Sequence, residues 1–186
     1  MVLSDETIKD KIKRKELRIE PLNQTNIQPC SVDLHLDRFF IIFDNYSYSM
    51  IDVKHKIDNT KLVEIGEGEG FIIHPNEFIL ASTVEYVSLP ADICAQVNGR
   101  SSIGRLGLII HATAGFIDPG FEGNITLEMV NVSQIPIKVY SNMRIAQIVF
   151  EELSSEAEQK YNMQRNKYSN QRGPTPSMIW KDFEGK

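Results

Sequence analysis

Apolar residues follow a helical spacing only at the start of the chain. Ser4 can cap a short helix whose first turn holds Asp5 and Glu6, whose face carries Ile8 and Ile12, and whose end carries Lys13, Arg14 and Lys15. Leu3 and Ile8 fit a hydrophobic staple across that cap. The period then changes to two. Ser31 to Leu36 alternates cleanly, and strand-length runs recur at Phe39 to Phe43, Phe71 to His74, Glu77 to Ser82, Ile93 to Val97, Leu108 to Ala112, Asn124 to Val130, Pro136 to Tyr140 and Arg144 to Phe150. Turns are expected at Asn98-Gly99, Asp118-Pro119-Gly120, Gly123 and Ser141-Asn142. Many short strands without a second long helix predict a mainly β fold, a barrel or jelly roll.

Composition supports one packed domain: 186 residues, 41% hydrophobic and 24% charged. The body is expected over 1–153, including the helix. From Ser154 to Lys186 aliphatic residues become scarce, which fits either a frayed tail or a lid ordered by a ligand. Only Cys30 and Cys94 are present; both read as small buried residues of a reducing compartment, hence a cytoplasmic protein. Met1 to Leu17 has no apolar segment of the secretory type. Leu106 to Ile117 falls short of the ~18 residues a membrane span needs. A net charge of −5 gives no broad grip on nucleic acid, so an anionic ligand needs a local basic cluster.

Some chemistry is disfavoured. Gly66 to Gly70 encloses two carboxylates and precedes a strand, so it reads as a hairpin turn rather than a phosphate loop. His35, His55, His74 and His111 form no His-x-Glu, and no Cys-x-x-Cys exists, so zinc-dependent base deamination lacks its usual ligands. His111, within an apolar run, reads as a hydrogen-bonded core residue. Arg100, Ser101, Ser102 and Arg105 follow a glycine and suit either an anion site, with a serine capping a short helix, or an ordinary surface turn. If residues 119–123 close a hairpin, Asp118 faces Asn124 and Ala114 faces Glu128. Ile125, Leu127 and Met129 then point inward, while Asn124, Thr126 and Glu128 face a pocket or a wet strand surface.

Taken together, Gly99-Arg100-Ser101-Ser102 with Arg105-Leu106-Gly107, His111 to Gly123, Ile125-Thr126-Leu127-Glu128, and Met143-Arg144-Ile145 with Gln147 resemble the dCTP deaminase family, relatives of the trimeric dUTPases. The likeness extends to Gln28 to Asp33 and Lys167 to Gly173. It implies a distorted β-barrel of the dUTPase-like (β-clip) type, a homotrimer with sites between subunits, and a C-terminal tail closing over bound nucleotide. Glu128 then corresponds to the general base, Ser101 and the Ala114 carbonyl to the groups that hold the water, and Arg105 to the cation that stabilises the site. Arg100, Ser102, Ile103, Gly104, Gln147, Tyr161, Lys167 and Gln171 correspond to phosphate contacts, Asp118 to a sugar contact, and Thr126 with Leu127 to backbone contacts with the base.

Magnesium would accompany the triphosphate, with no zinc, and dTTP is a candidate inhibitor. Gly115 and Phe116 resemble the branch that converts dCTP to dUMP; the alternatives are dUTP release, a dUTPase alone, or a silent nucleotide-binding trimer. Cys30 and Ala112 depart from the family's usual Ala or Ser and Val, and Tyr161 lies one position closer to Lys167 than in some members.

Overall fold

The structure, a computed structural model, describes residues 1–56, 58–161 and 166–184. Helix α1 (Asp5–Lys13) forms where the spacing predicts it. The Ser4 hydroxyl accepts from the Thr7 amide at 3.4 Å, and acidic and basic residues sit at the ends the helix dipole favours. Ile8 is buried with Leu3 in one core, and the Leu3 amide donates to the Phe150 carbonyl at 3.0 Å, fastening the start of the chain to the last strand.

The strands follow as β1 (Arg18–Glu20), β2 (Ile27–Gln28), β3 (Ser31–Phe43), β4 (Thr60–Glu64), β5 (Gly70–Ile73), β6 (Phe78–Ser88) and β7 (Ile93–Gly99). After the one-turn helix α2 (Ser101–Gly104) come β8 (Leu108–Ile109), β9 (Phe116–Ile117), β10 (Glu122–Asn131), β11 (Ile137–Tyr140) and β12 (Arg144–Glu152). Among the described residues, ten strands share a sheet whose main path is β8-β10-β6-β3-β12-β7-β9, and β5 pairs with β11 in a second. Register shifts in β10 on β6, β12 on β3 and β3 on β6 mark bulges that bend the strands. The result is the expected mainly β fold, a sheet curled into a half-barrel. Its core buries Val32, Leu34, Leu36, Ile79, Leu127 and Phe150. No described helix is long and apolar enough to cross a membrane.

Several local expectations are corrected. The runs at Ser31 and Phe39 join into β3, because the shift between Leu36 and Phe40 lets one strand bend from β12 towards β4. Asn98-Gly99 is not a turn but the end of β7, paired with Gln147 and Ala146. Gly66 to Gly70 does turn, with the Glu69 amide donating to the Gly66 carbonyl at 3.1 Å. It forms no hairpin, since β4 pairs with β3 and β5 with β11. Cys94 is buried, and burial pushes its thiol pKa up, whereas Cys30 is exposed and fills no core.

The hairpin around residues 119–123 is also absent. The Asp118-Pro119-Gly120 turn exists, but β9 pairs with β7 and β10 pairs with β6 and β8, so the two arms diverge into different parts of the sheet. Asp118 therefore does not face Asn124. Glu128 is approached by Ala112 and Thr113 rather than Ala114, with the Ala112 amide donating to the Glu128 carbonyl at 3.1 Å.

Candidate active site

β10 forms one wall of the site because its alternation divides core from cavity. Ile125, Leu127 and Met129 are buried, while Thr126 and Glu128 turn outward into a cavity of about 480 Å³. Asn124 departs from this pattern. It is buried where β6 carries two extra residues opposite the step from Asn124 to Thr126, and its side-chain amide donates to the carbonyls of Thr83, Val84 and Glu85 in that bulge at 3.1 to 3.2 Å.

The carboxylate of Glu128 is held on one side. Its Oε2 accepts from the Thr113 amide at 3.1 Å and the Thr113 hydroxyl at 2.5 Å. Its Oε1 has no hydrogen-bond partner among the described residues. One oxygen is thus fixed and the other bonds no described residue, which in a residue lining a cavity suits taking a proton from a positioned water. Thr113 escaped the sequence reading because its contact depends on the crossing of two distant segments.

The same cavity is lined by His111, Ala114, Gly115, Phe116 and Asp118 from the segment that crosses to β7. His111 is not the hydrogen-bonded core residue expected. It lines the cavity, and its Nδ1 is buried without a partner among the described residues.

Tyr161 and Gln171 close the cavity from the tail. The described tail residues are attached by polar groups and rings in place of aliphatic packing. Gln171 accepts from the Asn124 amide through its backbone carbonyl at 3.1 Å and donates to the Asn124 carbonyl through Nε2 at 2.6 Å. The Thr175 amide donates to the Thr126 hydroxyl at 3.2 Å, and the Arg172 guanidinium stacks over Tyr86 at 4.1 Å. Tyr161 packs on Phe121 with ring centroids 5.8 Å apart; burial pushes its phenol pKa up, so it remains a proton donor at neutral pH.

A second set of residues stands apart. Arg100 is the N-cap of α2 and makes no side-chain cap bond, so Ser101 and Ser102 begin the helix instead of capping it. Ser101, Ser102, Gly104 and Arg105 are exposed, Ile103 is half-buried, and none of residues 100–105 lines the cavity. Arg100 pairs with Asp33 at 3.2 Å, and Gln147 sits opposite Asp33 in the ladder. Lys167 pairs with Asp182 and does not line the cavity. Within one protomer, then, Glu128 gathers with Ala114, Gly115, Phe116, Asp118, Thr126, Tyr161 and Gln171. Ser101 and Arg105 present their polar groups elsewhere, and Leu127 buries its side chain in the core, leaving only its backbone for a ligand.

Comparison with known proteins matches residues 2–153 to the family model described as dCTP deaminase-like. The whole chain is 48% identical over 189 residues to dCTP deaminase, dUMP-forming, of Corynebacterium glutamicum (strain R), with both chains fully covered. It is 50% identical over 186 residues to the protein of the same name from Leifsonia xyli subsp. xyli (strain CTCB07), covering 98% of this chain and 92% of that one. Among solved structures, 2'-deoxycytidine 5'-triphosphate deaminase from Agrobacterium tumefaciens shares the fold, with a TM-score of 0.63 and 24% identity. That alignment covers 80% of this chain and 47% of the other. A family match running from the first helix through β12, joined to relatives half identical over nearly the full length, establishes that the chain belongs to the dCTP deaminase-like family.

Proposed function

We propose that this protein is a dCTP deaminase of the dUMP-forming kind. The observation that carries the reading is Glu128, fixed through one oxygen by Thr113 and open through the other in a cavity wall. Water adds to the ring carbon that bears the amine as Glu128 takes one of its protons and passes it to the adjacent ring nitrogen; the remaining hydroxyl proton then travels through Glu128 to the amine nitrogen, the C–N bond breaks as the C=O forms, and ammonia leaves. The carbonyl of Ala114 and the hydroxyl of Ser101 hold that water, and the Arg105 guanidinium stabilises the charge that develops. Thr126 and Leu127 present backbone to the base, and Asp118 meets the sugar. Asp118 also activates a second water that attacks the phosphate chain, so that pyrophosphate leaves and dUMP remains. The small Gly115 beside Phe116 favours this product over dUTP.

This chemistry needs Ser101 and Arg105 near Glu128, and the protomer holds them on an exposed turn outside the cavity. A homotrimer with sites between subunits resolves the separation, each cavity receiving the turn of its neighbour. The apolar exposure of Leu106 at 59% and Phe116 at 63% beside the two half-sites supports such a contact. Arg100, Ser102, Ile103 and Gly104 then take the phosphates with Gln147, Tyr161, Gln171 and Lys167, the last after leaving Asp182. Residues 1–153 form the catalytic body, and 154–186 close over the nucleotide.

No group of three or more His, Cys, Asp or Glu among the described residues is placed to hold a metal ion. Magnesium enters with the substrate, liganded by phosphate oxygens and water. dTTP, sharing the sugar and triphosphate, competes for the same site. The two free cysteines fit a reducing cytoplasm.

Incubation with dCTP and magnesium, with products resolved by chromatography, tests the reading. Equal amounts of ammonia, pyrophosphate and dUMP are expected. Accumulation of dUTP contradicts the second step, and unchanged dCTP contradicts the whole proposal.

A further inference from the structure

Asp33 is an acidic residue in an alternating strand, flanked by Val32 and Leu34 in the core, and alternation alone places it on a solvent-facing side. It is instead 2% exposed. A carboxylate removed from water requires charge partners, and Asp33 has two. Its Oδ1 lies 3.2 Å from Arg100 Nε, and its Oδ2 accepts from Arg144 Nη1 at 3.2 Å and from Gln28 Nε2 at 3.4 Å.

The ladder explains how these groups converge. Gln147 of β12 stands opposite Asp33 of β3 on one side and Asn98 of β7 on the other, so the three side chains form a row on one face. Arg100 follows Asn98 by two positions and continues that face. Arg144 lies three positions before Gln147 and would point away in a regular strand. The register shift between Arg144 and Ala146 adds a residue, so Arg144 falls opposite His35, two along from Asp33, on the same side as Gln147. A bulge at this place re-aims one arginine towards a carboxylate that another arginine already neutralises.

Two guanidiniums on one carboxylate leave a net positive charge, and both side chains remain partly open, at 27% for Arg100 and 49% for Arg144. One carboxylate thus holds both guanidiniums, and each keeps N–H groups that bond no described residue and can face an anion. We propose that Asp33 is a positioning residue for polyphosphate recognition, holding Arg100 and Arg144 as a preorganised pair, and that Arg144 is a second arginine contacting the phosphate chain. This rests on the reading of Arg100 as a phosphate contact. Asp33 touches no substrate; it limits the freedom of the two long side chains that do.

Two measurements on the full chain test the assignment: calorimetric binding of inorganic tripolyphosphate, and steady-state kinetics with dCTP. Asp33→Asn keeps the size and one acceptor oxygen but removes the charge. It is expected to weaken tripolyphosphate about tenfold and to raise the KM for dCTP by a similar factor, with kcat lowered by less than about threefold. Arg144→Gln should weaken both to the same extent, and Arg144→Lys should recover part of the loss by restoring a point charge without the fork.

Wild-type affinity for tripolyphosphate in Asp33→Asn overturns the proposal, as does a kcat loss as large as the change in KM. If Asp33→Asn does not fold, Arg144→Gln decides alone: tenfold weaker binding supports the pair, and unchanged binding overturns it. The tripolyphosphate measurement needs no deamination, so a protein that leaves dCTP intact yet binds tripolyphosphate through Asp33 and Arg144 refutes the enzymatic reading and retains this one.

Discussion

Replacing Glu128 with Gln is expected to lower the rate of ammonia release from dCTP by ~10²–10⁴-fold, the range that positioned acid-base catalysis supplies. The substitution keeps the length and shape of the side chain, and its amide oxygen can still accept from the amide and hydroxyl of Thr113. What disappears is the ability of the open oxygen to accept a proton from water and return it to the leaving nitrogen. The cavity wall, the tail contacts and the phosphate contacts are untouched. Affinity for dCTP, measured by calorimetry, should therefore stay within about threefold of wild type, giving the signature of an interaction made in the transition state. A Glu128→Gln chain that releases ammonia at the wild-type rate contradicts the assignment of the base.

Gly115→Ala should cost about 1–3 kcal/mol of stability by overpacking and change the product ratio. The Val97 amide donates to the Gly115 carbonyl at 2.8 Å, and a Cβ built on Gly115 would lie 2.8 Å from the Val97 carbonyl oxygen. The obstruction is backbone, so it cannot swing aside as a side chain would, and the segment entering β9 must move away from β7. Ala114 and Asp118 flank that segment and both line the cavity. With the role proposed for Asp118, displacing it should impair the attack on phosphate, so dUTP should accumulate relative to dUMP as total turnover falls. Thermal unfolding and product chromatography report the two effects; a variant with the wild-type melting temperature and product ratio contradicts the account of this contact.

What the chain reveals from its letters alone follows the range of the interaction. The Ser4 cap, the Ile8 face of α1 and the inward set Ile125, Leu127 and Met129 depend on neighbours a few positions away, and all are found as expected. The partner of a strand is a different kind of information. Ile117 pairs with Ala95, and Leu127 pairs with Ala81, and no local spacing announces either choice. The hairpin expectation failed for that reason, placing Ala114 where Thr113 stands.

Asp33 was hidden in a similar way. Alternation correctly puts it on the face opposite Val32 and Leu34, but that face of a central strand is covered by Arg100, Arg144 and Gln28, which arrive from three other segments. The tail offered too few aliphatic residues to suggest packing. Its attachment runs instead through backbone groups of Gln171 and Thr175 and the rings of Tyr161 and Phe121, a pairing that composition does not register.

Mixed trimers provide the most direct test of whether one protomer's glutamate works with another's serine and arginine. Glu128→Gln and Arg105→Gln chains, each inactive alone, can be co-expressed with different tags and the mixed assemblies purified through both. Where a Glu128→Gln chain lends its intact Arg105 to the intact Glu128 of its neighbour, a complete site forms; every mixed trimer, whichever chain is in excess, then holds one complete site in three, so the purified mixed assemblies should restore roughly a third of wild-type ammonia release. Mixed assemblies as inactive as either parent would mean that both groups must come from the same chain, and the composite site proposed here would be wrong.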